Sequence, residues 1–251
     1  MLDLKNINFT VAKETKLKRQ IFKNLNLRVK AGEFLVVIGT NGSGKSTLFN
    51  LITGFAKPDF GKILLNGKDI TAKKQFEIAK DVSLVMQDPR MGTMESWTIF
   101  ENMVFAINRA NRMSLSPFAS EKRKELVAQK LAVLDIGLEK RLDEIVANLS
   151  GGQRQALSLV MAIMSNSKLL LLDEITAALD PQAAVNIMKL ANRIIRDDKR
   201  TSILITHNME DAIKYGDRLV ILQNGNFVKE FTAQEKKSLT TNKLVSELNL
   251  N

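Results

Sequence analysis

The chain has 251 residues, of which 45% are apolar, and these values allow one large domain or two small ones with a buried core. It contains no cysteine and a single histidine, which excludes a disulfide scaffold, a thiolate metal site, a cysteine nucleophile and any metal site that needs two imidazoles. The excess of 37 Lys and Arg over 27 Asp and Glu gives a net charge of +10, which indicates an anionic partner such as nucleic acid, a lipid surface or a nucleotide, or no specific partner.

The first third of the sequence predicts strands, and the middle predicts helices. Alternating or continuous apolar residues indicate strands at 2–4, 25–29, 34–38, 63–67 and 82–86. From about residue 98 to 163, apolar residues recur at helical spacing. Strand and helix then alternate, with strands at 169–172, 202–206 and 219–222 and a helix from about residue 183.

This order of elements favours an α/β fold. Apolar strands that alternate with helices are typical of a parallel sheet covered on both faces. The helical block at about 88–158 interrupts the alternation, so we interpret it as an inserted subdomain with a loop at 112–120. Residues 232–251 are polar and contain several lysines, which predicts a short C-terminal appendage.

A glycine-rich segment, residues 39–47, lies between the apolar strand 34–38 and a predicted helix. Glycines allow backbone amides to turn inward around phosphate oxygens, and a helix N-terminus adds partial positive charge. Lys45 can reach the outer phosphates, and the hydroxyl of Ser46 can bind Mg²⁺. The alternative is a turn without a ligand, but the flanking strand and helix favour a phosphate loop.

Polar side chains follow three other predicted strands. Asp173 and Glu174 end the strand at 169–172, and ligands of open α/β sheets lie beyond the carboxyl ends of strands. Asp173 could hold Mg²⁺ and Glu174 could polarise an attacking water, although such residues alone often form caps or turns. His207 follows the strand at 202–206, where it could touch a γ-phosphate or serve as a turn residue. Gln87 follows the strand at 82–86 and carries little information by itself.

Residues 149–153 read Leu-Ser-Gly-Gly-Gln and predict a helix start. Ser150 and Gln153 have the spacing of a capping box, in which each side chain bonds the other residue's backbone N–H. A capping box does not explain two glycines in the first turn, because glycine is a poor helix former. A second helix start suited to an anion suggests that two chains enclose each nucleotide.

Together these segments resemble the ATP-binding cassette (ABC) ATPases over essentially the whole chain. The matching motifs are Walker A at 39–47, the Q-loop at Gln87, the signature at 149–153, Walker B at 169–174, the D-loop at 178–180 and the switch histidine at His207. The resemblance implies a RecA-like P-loop core with a mainly parallel sheet, an N-terminal antiparallel β subdomain and the inserted helical subdomain. It also implies a single ABC ATPase domain over 1–251, divided into a nucleotide-binding core with β subdomain (1–87 and 159–231), a helical subdomain (88–158) and the appendage (232–251).

The same resemblance implies ATP and Mg²⁺ as cofactors and a set of site residues. The expected ATP contacts are Gly39, Asn41, Gly42, Ser43, Gly44, Lys45, Ser46 and Thr47 of one chain, with Ser150, Gly151, Gly152, Gln153 and Asp180 in the closed site. The expected Mg²⁺ ligands are Ser46, Gln87 and Asp173. The expected catalytic residues are Glu174, His207, Lys45 and Gln87.

Two positions depart from the family pattern. The family usually stacks an aromatic side chain on adenine, and Val11 stands at the aligned position. Phe9 or Phe22 could substitute, or less specific apolar contact could hold the base. Ile175 replaces the proline that commonly follows the Walker B glutamate. Finer features resemble the ATPase subunits of bacterial importers that work with tryptophan/tyrosine-type or related binding proteins.

The resemblance also predicts partners and location. They are a second copy of the chain, integral membrane permease subunits, indirectly an extracytoplasmic substrate-binding protein, and no nucleic acid. Permease helices would dock beside residues 87–94, with Trp97 as either an interface or a core aromatic. No stretch reaches the roughly 18 apolar residues of a membrane span and residues 1–5 lack a signal-peptide pattern, which predicts a peripheral protein on the cytoplasmic side of the inner membrane.

Two other functions stay open at the level of the sequence. One is a non-transport ABC ATPase such as a cluster-assembly ATPase. The other is a nucleic-acid-binding protein, suggested by the charge, although the basic runs lack interleaved aromatics that could stack bases.

Overall fold

Ten strands and nine α-helices are present in the computed structural model, which describes residues 1–110, 120–164 and 167–249. The strands are β1 (Leu2–Val11), β2 (Arg19–Val29), β3 (Phe34–Ile38), β4 (Phe60–Leu65), β5 (Lys68–Asp69), β6 (Val82–Val85), β7 (Leu169–Asp173), β8 (Thr201–Ile205), β9 (Arg218–Gln223) and β10 (Asn226–Thr232). The helices are α1 (Lys45–Thr53), α2 (Gln75–Ile78), α3 (Ile99–Ala110), α4 (Glu121–Ala132), α5 (Gly151–Met164), α6 (Pro181–Asp197), α7 (Met209–Lys214), α8 (Ala233–Lys236) and α9 (Thr241–Asn249). Of the loop predicted at 112–120, all but Ser120 lies outside the described residues.

The chain folds into two compact units. The first unit comprises residues 1–79 and 195–251, and the second unit comprises residues 80–194. The boundary falls near the C-terminal end of α6. The two units are defined by packing, whereas the predicted core, helical subdomain and appendage are defined by motifs. The motif-based division therefore stays a prediction.

The first unit contains an antiparallel sheet and a set of mainly parallel strands. The antiparallel sheet has the order β2-β1-β4-β5, and the second set runs β10-β9-β3-β8. β3 is buried along its whole length and pairs in parallel with β8 and β9, with Val37 opposite both Ile205 and Val220. The carboxyl ends of β3 and β8 therefore lie at the same edge of the sheet.

The second unit pairs β6 with β7 in parallel, with Val85 opposite Leu172. Between these strands the described residues form helices, as the sequence predicted, because α3, α4 and α5 follow one another without an intervening strand. Apolar side chains of α5, including Leu157 and Val160, are buried. The carboxyl ends of β6 and β7 again share one edge.

Polar contacts link the C-terminal appendage to the rest of the first unit. The Gln223 side-chain amide donates to the carbonyl of Leu248 at 2.7 Å, which holds α9. The Lys236 ammonium donates to the carbonyls of Tyr215 and Gly216. Burial lowers the pKa of Lys236 to about 8, because the surroundings disfavour the charged form.

We expect Gly225→Ala to destabilise the first unit far more than Gly67→Ala. Both glycines have left-handed backbones, with φ values of 76° at Gly225 and 75° at Gly67. An alanine therefore experiences the same backbone strain at either position. A Cβ at Gly225 would lie 1.7 Å from the carbonyl oxygen of Ile21, whereas a Cβ at Gly67 meets nothing within 4 Å. Urea unfolding should give a loss of about 1 kcal/mol for Gly67→Ala and about 4 kcal/mol for Gly225→Ala. Equal losses would contradict the close approach of the β9–β10 turn to β2.

Candidate functional site

Residues 39–47, the phosphate loop, leave β3 and lead into α1. Gly42 and Gly44 have φ values of 78° and 109°, which an L side chain rarely adopts. Gly44 is the N-cap of α1 and no side chain caps the helix, so the first-turn amides lack a side-chain acceptor. A Cβ at Gly39 would lie 2.2 Å from the carbonyl oxygen of Leu222, so this turn requires glycine.

Two buried polar groups lie within the phosphate loop. Lys45 is only 7% exposed, and its ammonium donates to the carbonyls of Gly39 at 2.9 Å and Thr40 at 3.2 Å. The Ser43 hydroxyl is buried and has no hydrogen-bond partner among the described residues. Leaving a buried hydroxyl unpaired costs about 1–3 kcal/mol, and an anion in the loop would relieve that cost. The loop thus fits a phosphate group.

The other side chains predicted to contact ATP from the phosphate loop are more exposed. Asn41 and Ser46 are exposed, and Thr47 is half-buried on α1. An exposed hydroxyl at Ser46 in the first turn of a helix is accessible to a cation carried by the phosphates.

Strand β2 supports the phosphate loop. Gly44 lies against the Phe22 ring, with 2.8 Å from its ideal Cβ position to Cε1, and Phe22 is fully buried. The Gly225 amide donates to the Ser43 carbonyl at 3.1 Å. Because Phe22 packs against the loop, its ring faces are covered and do not offer a stacking surface for adenine.

His207 lies at the same sheet edge as the phosphate loop. Thr206, which precedes it, donates its amide to the carbonyl of Val37 at 3.2 Å, and Val37 is close to the start of the loop. His207 is exposed, and Asn208 caps α7 by accepting the amide of Asp211 at 3.0 Å. His207 and residues 39–47 therefore follow neighbouring parallel strands at one edge of the sheet in the first unit.

In the second unit, Gln87, Asp173 and Glu174 gather at the edge formed by β6 and β7. Gln87 is exposed two residues after β6, and Asp173 and Glu174 are half-buried at the end of β7. Glu174 has a left-handed φ of 46°, an uncommon conformation for a residue other than glycine and one that recurs at functional sites. Asp88, which follows Gln87, caps a 3₁₀ helix, and the Arg90 guanidinium holds its pKa below the usual range.

The capping box predicted at Ser150 and Gln153 is present. The Ser150 amide donates to Gln153 Oε1 at 3.1 Å, and the Gln153 amide donates to Ser150 Oγ at 3.3 Å. Packing accounts for Gly152, because a Cβ there would lie 3.1 Å from the Ala183 Cβ. Gly151 is exposed, and its ideal Cβ position has only an ordinary contact at 3.7 Å, so packing alone does not require a glycine at this position.

Asp180 caps the N-terminus of α6. Its Oδ1 accepts the amide of Ala183 at 3.0 Å, at the start of α6. This contact explains why α6 begins at Pro181, before the expected start near residue 183. Asp180 is exposed, so its second carboxylate oxygen stays accessible.

Sequence reasoning missed Arg154, which links α5 to the segment after Gln87. Arg154 is 7% exposed and donates from Nε to the Thr93 hydroxyl at 2.7 Å and from Nη1 and Nη2 to the Glu95 carboxylate at 3.2 Å. The neighbouring Gln155 donates to the Met86 carbonyl at 3.2 Å. The available signal was a charged residue at helical spacing from the apolar residues Leu157 and Met161.

The oxygen donors fit Mg²⁺ held mainly by a nucleotide. In the described part of the chain, no group of three or more His, Asp or Glu side chains could form a metal cage. Mg²⁺ commonly binds through one or two protein oxygens together with substrate phosphates. The first unit offers the Ser46 hydroxyl, and the second unit offers the Gln87 amide oxygen and the Asp173 carboxylate. None of the described helices has the length and hydrophobicity of a membrane span.

The fold and the phosphate loop define a P-loop nucleotide-binding protein, and comparison with known proteins narrows the class. The sequence profile of the ABC transporter family matches residues 22–177. The chain is 38% identical over 247 residues to a tyrosine transport ATP-binding protein of Clostridioides difficile (strain R20291), covering 98% of both chains.

Solved structures agree with this assignment. A dimeric post-hydrolysis state of the ATP-binding cassette MJ0796, bound to ADP and Pi, has a TM-score of 0.80 and 27% identity, covering 93% of this chain and 99% of that one. CbiO1 from Clostridium perfringens, part of the ABC transporter complex cbiONQ, has a TM-score of 0.81 and 26% identity, covering 100% and 94%. The chain belongs to the ABC transporter ATPase family and is an ATP-binding, ATP-hydrolysing transporter subunit with the predicted α/β fold.

Proposed function

We propose that the chain energises import of an amino acid or a similar small solute. The observation that carries this proposal is the 38% identity to the tyrosine transport ATP-binding protein over 98% of both chains. Near-complete mutual coverage means that the two chains share the whole cassette rather than the P-loop core alone.

In this proposal ATP lies on the phosphate loop, with Lys45 and the amides around Gly42 and Gly44 on the β- and γ-phosphates. Ser46, Gln87 and Asp173 would hold Mg²⁺, which when bound would supply positive charge that stabilises the transferring phosphoryl group. Glu174 orients the attacking water and accepts its proton, while His207 contacts the γ-phosphate. The left-handed backbone at Gly42 and Gly44 and the absence of a side-chain cap at the start of α1 support this placement of the phosphates.

A second copy of the chain completes each site in our proposal. Ser150, Gly151, Gly152 and Gln153 of one copy face the γ-phosphate held by the phosphate loop of the other, with Asp180 nearby. The exposed, uncrowded Gly151 at the start of α5 supports this arrangement, because backbone there can approach an anion. Hydrolysis removes the γ-phosphate contacts, so the two copies separate and the cycle can repeat.

The permease would dock on an apolar surface of the second unit formed by Met91, Met94, Trp97 and Phe105. These side chains are between 37% and 69% exposed, and Trp97 packs edge-to-face on Phe105 with ring centroids 5.9 Å apart. Exposed aromatic and methionine side chains are typical of binding surfaces.

Hydrogen bonds link the apolar surface to α3 and to α5, the helix that begins with the signature segment. Buried Asn102 accepts the amide of Met94 at 2.7 Å and donates to its carbonyl at 3.0 Å. Arg154, four residues after Ser150, bonds Thr93 and Glu95. We infer that these bonds transmit permease movement to the start of α5. A peripheral location on the cytoplasmic face of the membrane, and indirect dependence on an extracytoplasmic substrate-binding protein, follow from docking to such a permease.

We expect Trp97→Ala to uncouple the subunit from its permease while leaving the basal ATPase rate of the isolated chain unchanged. Loss of a central aromatic from an interface weakens binding by about 30-fold. The measurement is copurification of membrane subunits with the tagged chain, together with ATPase rates with and without them. Phe60→Ala removes a 75% exposed aromatic from the first unit and is the matched control.

Equal recovery of permease with the tryptophan variant and the wild-type chain would rule out this docking surface. If the wild-type chain recovers no membrane subunit at all, a non-transport function such as cluster assembly would replace the proposed one.

A further inference from the structure

Buried Lys236 ties the C-terminal appendage to the end of α7. It is 4% exposed, and its ammonium donates to the carbonyl of Tyr215, the C-cap of α7, and to the carbonyl of Gly216 at 3.2 Å. The capping box of Thr232 and Glu235 starts α8 and so fixes where Lys236 lies. The ammonium of Lys236 therefore joins α8 directly to the backbone that ends α7.

A charged side chain at this buried position has a cost that packing alone does not explain. Burial lowers the pKa of Lys236 to about 8, because the surroundings disfavour the ammonium form. A methionine would fill a similar space without that desolvation cost. What the ammonium adds is a set of directional hydrogen bonds, and such bonds fix the position of the backbone that they contact.

His207 lies next to the opposite end of α7. This helix has only six residues, Met209–Lys214, and Asn208, which follows His207, is its N-cap. The helix α9 of the appendage packs against α7. A helix this short is held together by a few continuous backbone hydrogen bonds and moves as one unit. A displacement of its C-terminal end is therefore passed on to His207.

The segment after α7 has a second attachment, to the strand that leads into the phosphate loop. The Phe34 amide of β3 donates to Asp217 Oδ2 at 2.8 Å, and the Asp217 amide donates to the Phe34 carbonyl at 2.7 Å. One attachment alone would leave α7 free to pivot about that point, whereas a second attachment fixes its direction. Asp217 supplies the first attachment, and Lys236 supplies the second.

We propose that Lys236 is a positioning residue for ATP hydrolysis, because it fixes the direction of α7 and thereby holds His207 in place for the γ-phosphate. This inference rests on the proposed contact between His207 and the γ-phosphate. It assigns the C-terminal appendage a role in the rate of hydrolysis and none in nucleotide binding, which depends on Lys45 and the phosphate loop.

The test is a double-mutant cycle between Lys236→Met and His207→Ala, measured as kcat and KM for ATP. Methionine keeps the unbranched apolar stem of lysine but cannot donate to the two carbonyls. We expect Lys236→Met to lower kcat about tenfold and to change KM by less than about twofold. In the His207→Ala background, Lys236→Met should have no further effect, because the side chain that Lys236 positions is gone.

Lys237→Met is the matched control, since it removes the neighbouring lysine, which is exposed, and should leave kcat unchanged. Thermal unfolding checks that each variant is folded at the assay temperature. If Lys236→Met is unfolded there, Lys236→Gln takes its place in the cycle, because its shorter side chain leaves a polar group at the site but does not span the same distance to the carbonyls.

The single histidine of the chain allows a second measurement that does not depend on turnover. In a chain without a histidine tag, the only imidazole signals in an NMR spectrum belong to His207. We expect Lys236→Met to shift or broaden these signals in the ADP-bound chain and Lys237→Met to leave them unchanged. A stabilising role that does not reach His207 would leave the signals unchanged in both variants.

Three results would overturn the inference. These are wild-type kcat in Lys236→Met, a full further loss of kcat when Lys236→Met is added to His207→Ala, and imidazole signals that do not respond to Lys236→Met. A wild-type rate of hydrolysis in His207→Ala alone would instead contradict the proposed contact of His207 with the γ-phosphate, and the inference would fail with it.

Discussion

Glu174→Gln should lower the rate of ATP hydrolysis by about 100- to 10,000-fold while the chain still binds ATP. Glutamine preserves the size of the side chain and its hydrogen-bonding oxygen but cannot accept the proton of the attacking water. The left-handed backbone at residue 174 disfavours glutamate and glutamine equally. The substitution therefore changes the charge of the side chain without changing the backbone strain. Because hydrolysis normally reopens the dimer, ATP should trap this variant as a dimer, which light scattering detects.

Glu121→Gln is the control, since Glu121 is an exposed carboxylate in the first turn of α4 and its loss should leave turnover unchanged. Normal hydrolysis by Glu174→Gln would remove the proposed base. Failure of this variant to bind ATP would show that Glu174 acts in binding instead.

Gly151→Asp should lower hydrolysis by about 100-fold or more and leave ADP binding intact. The start of α5 has room for the new Cβ, and a carboxylate in the first turn of a helix is favourable for the fold. In the proposed dimer, however, the added negative charge faces the γ-phosphate of the nucleotide held by the other copy. Steady-state ATPase rates and ADP titration measure the two effects separately.

Asn148→Asp adds the same charge at an exposed position three residues earlier and is the control for the Gly151 variant. A Gly151→Asp chain that hydrolyses ATP at the wild-type rate would contradict the role assigned to the signature segment.

The parts of the fold that depend on local sequence were predictable. The conformation of residues 39–47 is predictable because the glycines, the lysine and the flanking strand and helix lie within one short stretch of sequence. The same is true of the capping box at Ser150 and Gln153, whose reciprocal hydrogen bonds are confirmed. The Thr232 and Glu235 pair has identical spacing and caps α8 in the same way, although the sequence was interpreted there only as a polar appendage.

Contacts that depend on register or on distant segments were not predictable. Phe22 faces the interior because β1 and β2 pair with register shifts around Ile7, Phe9 and Thr10, which an alternation pattern does not reveal. Arg19 meets Gly42 across 23 residues of sequence, and Arg154 meets Thr93 across 61. These contacts arise when strands and helices pack, so residue type and spacing alone do not encode them.

The central claim, that each active site combines the phosphate loop of one chain with the signature segment of another, is tested most directly by mixing two inactive variants. Lys45→Ala disables the loop, and Gly151→Asp disables the signature. In a head-to-tail mixed dimer, one site combines both defects and the other combines the intact loop of one chain with the intact signature of its partner. We predict that ATPase activity, absent from either variant alone, appears on mixing in proportion to the mixed dimer. A mixture that stays as inactive as its components would contradict the shared site.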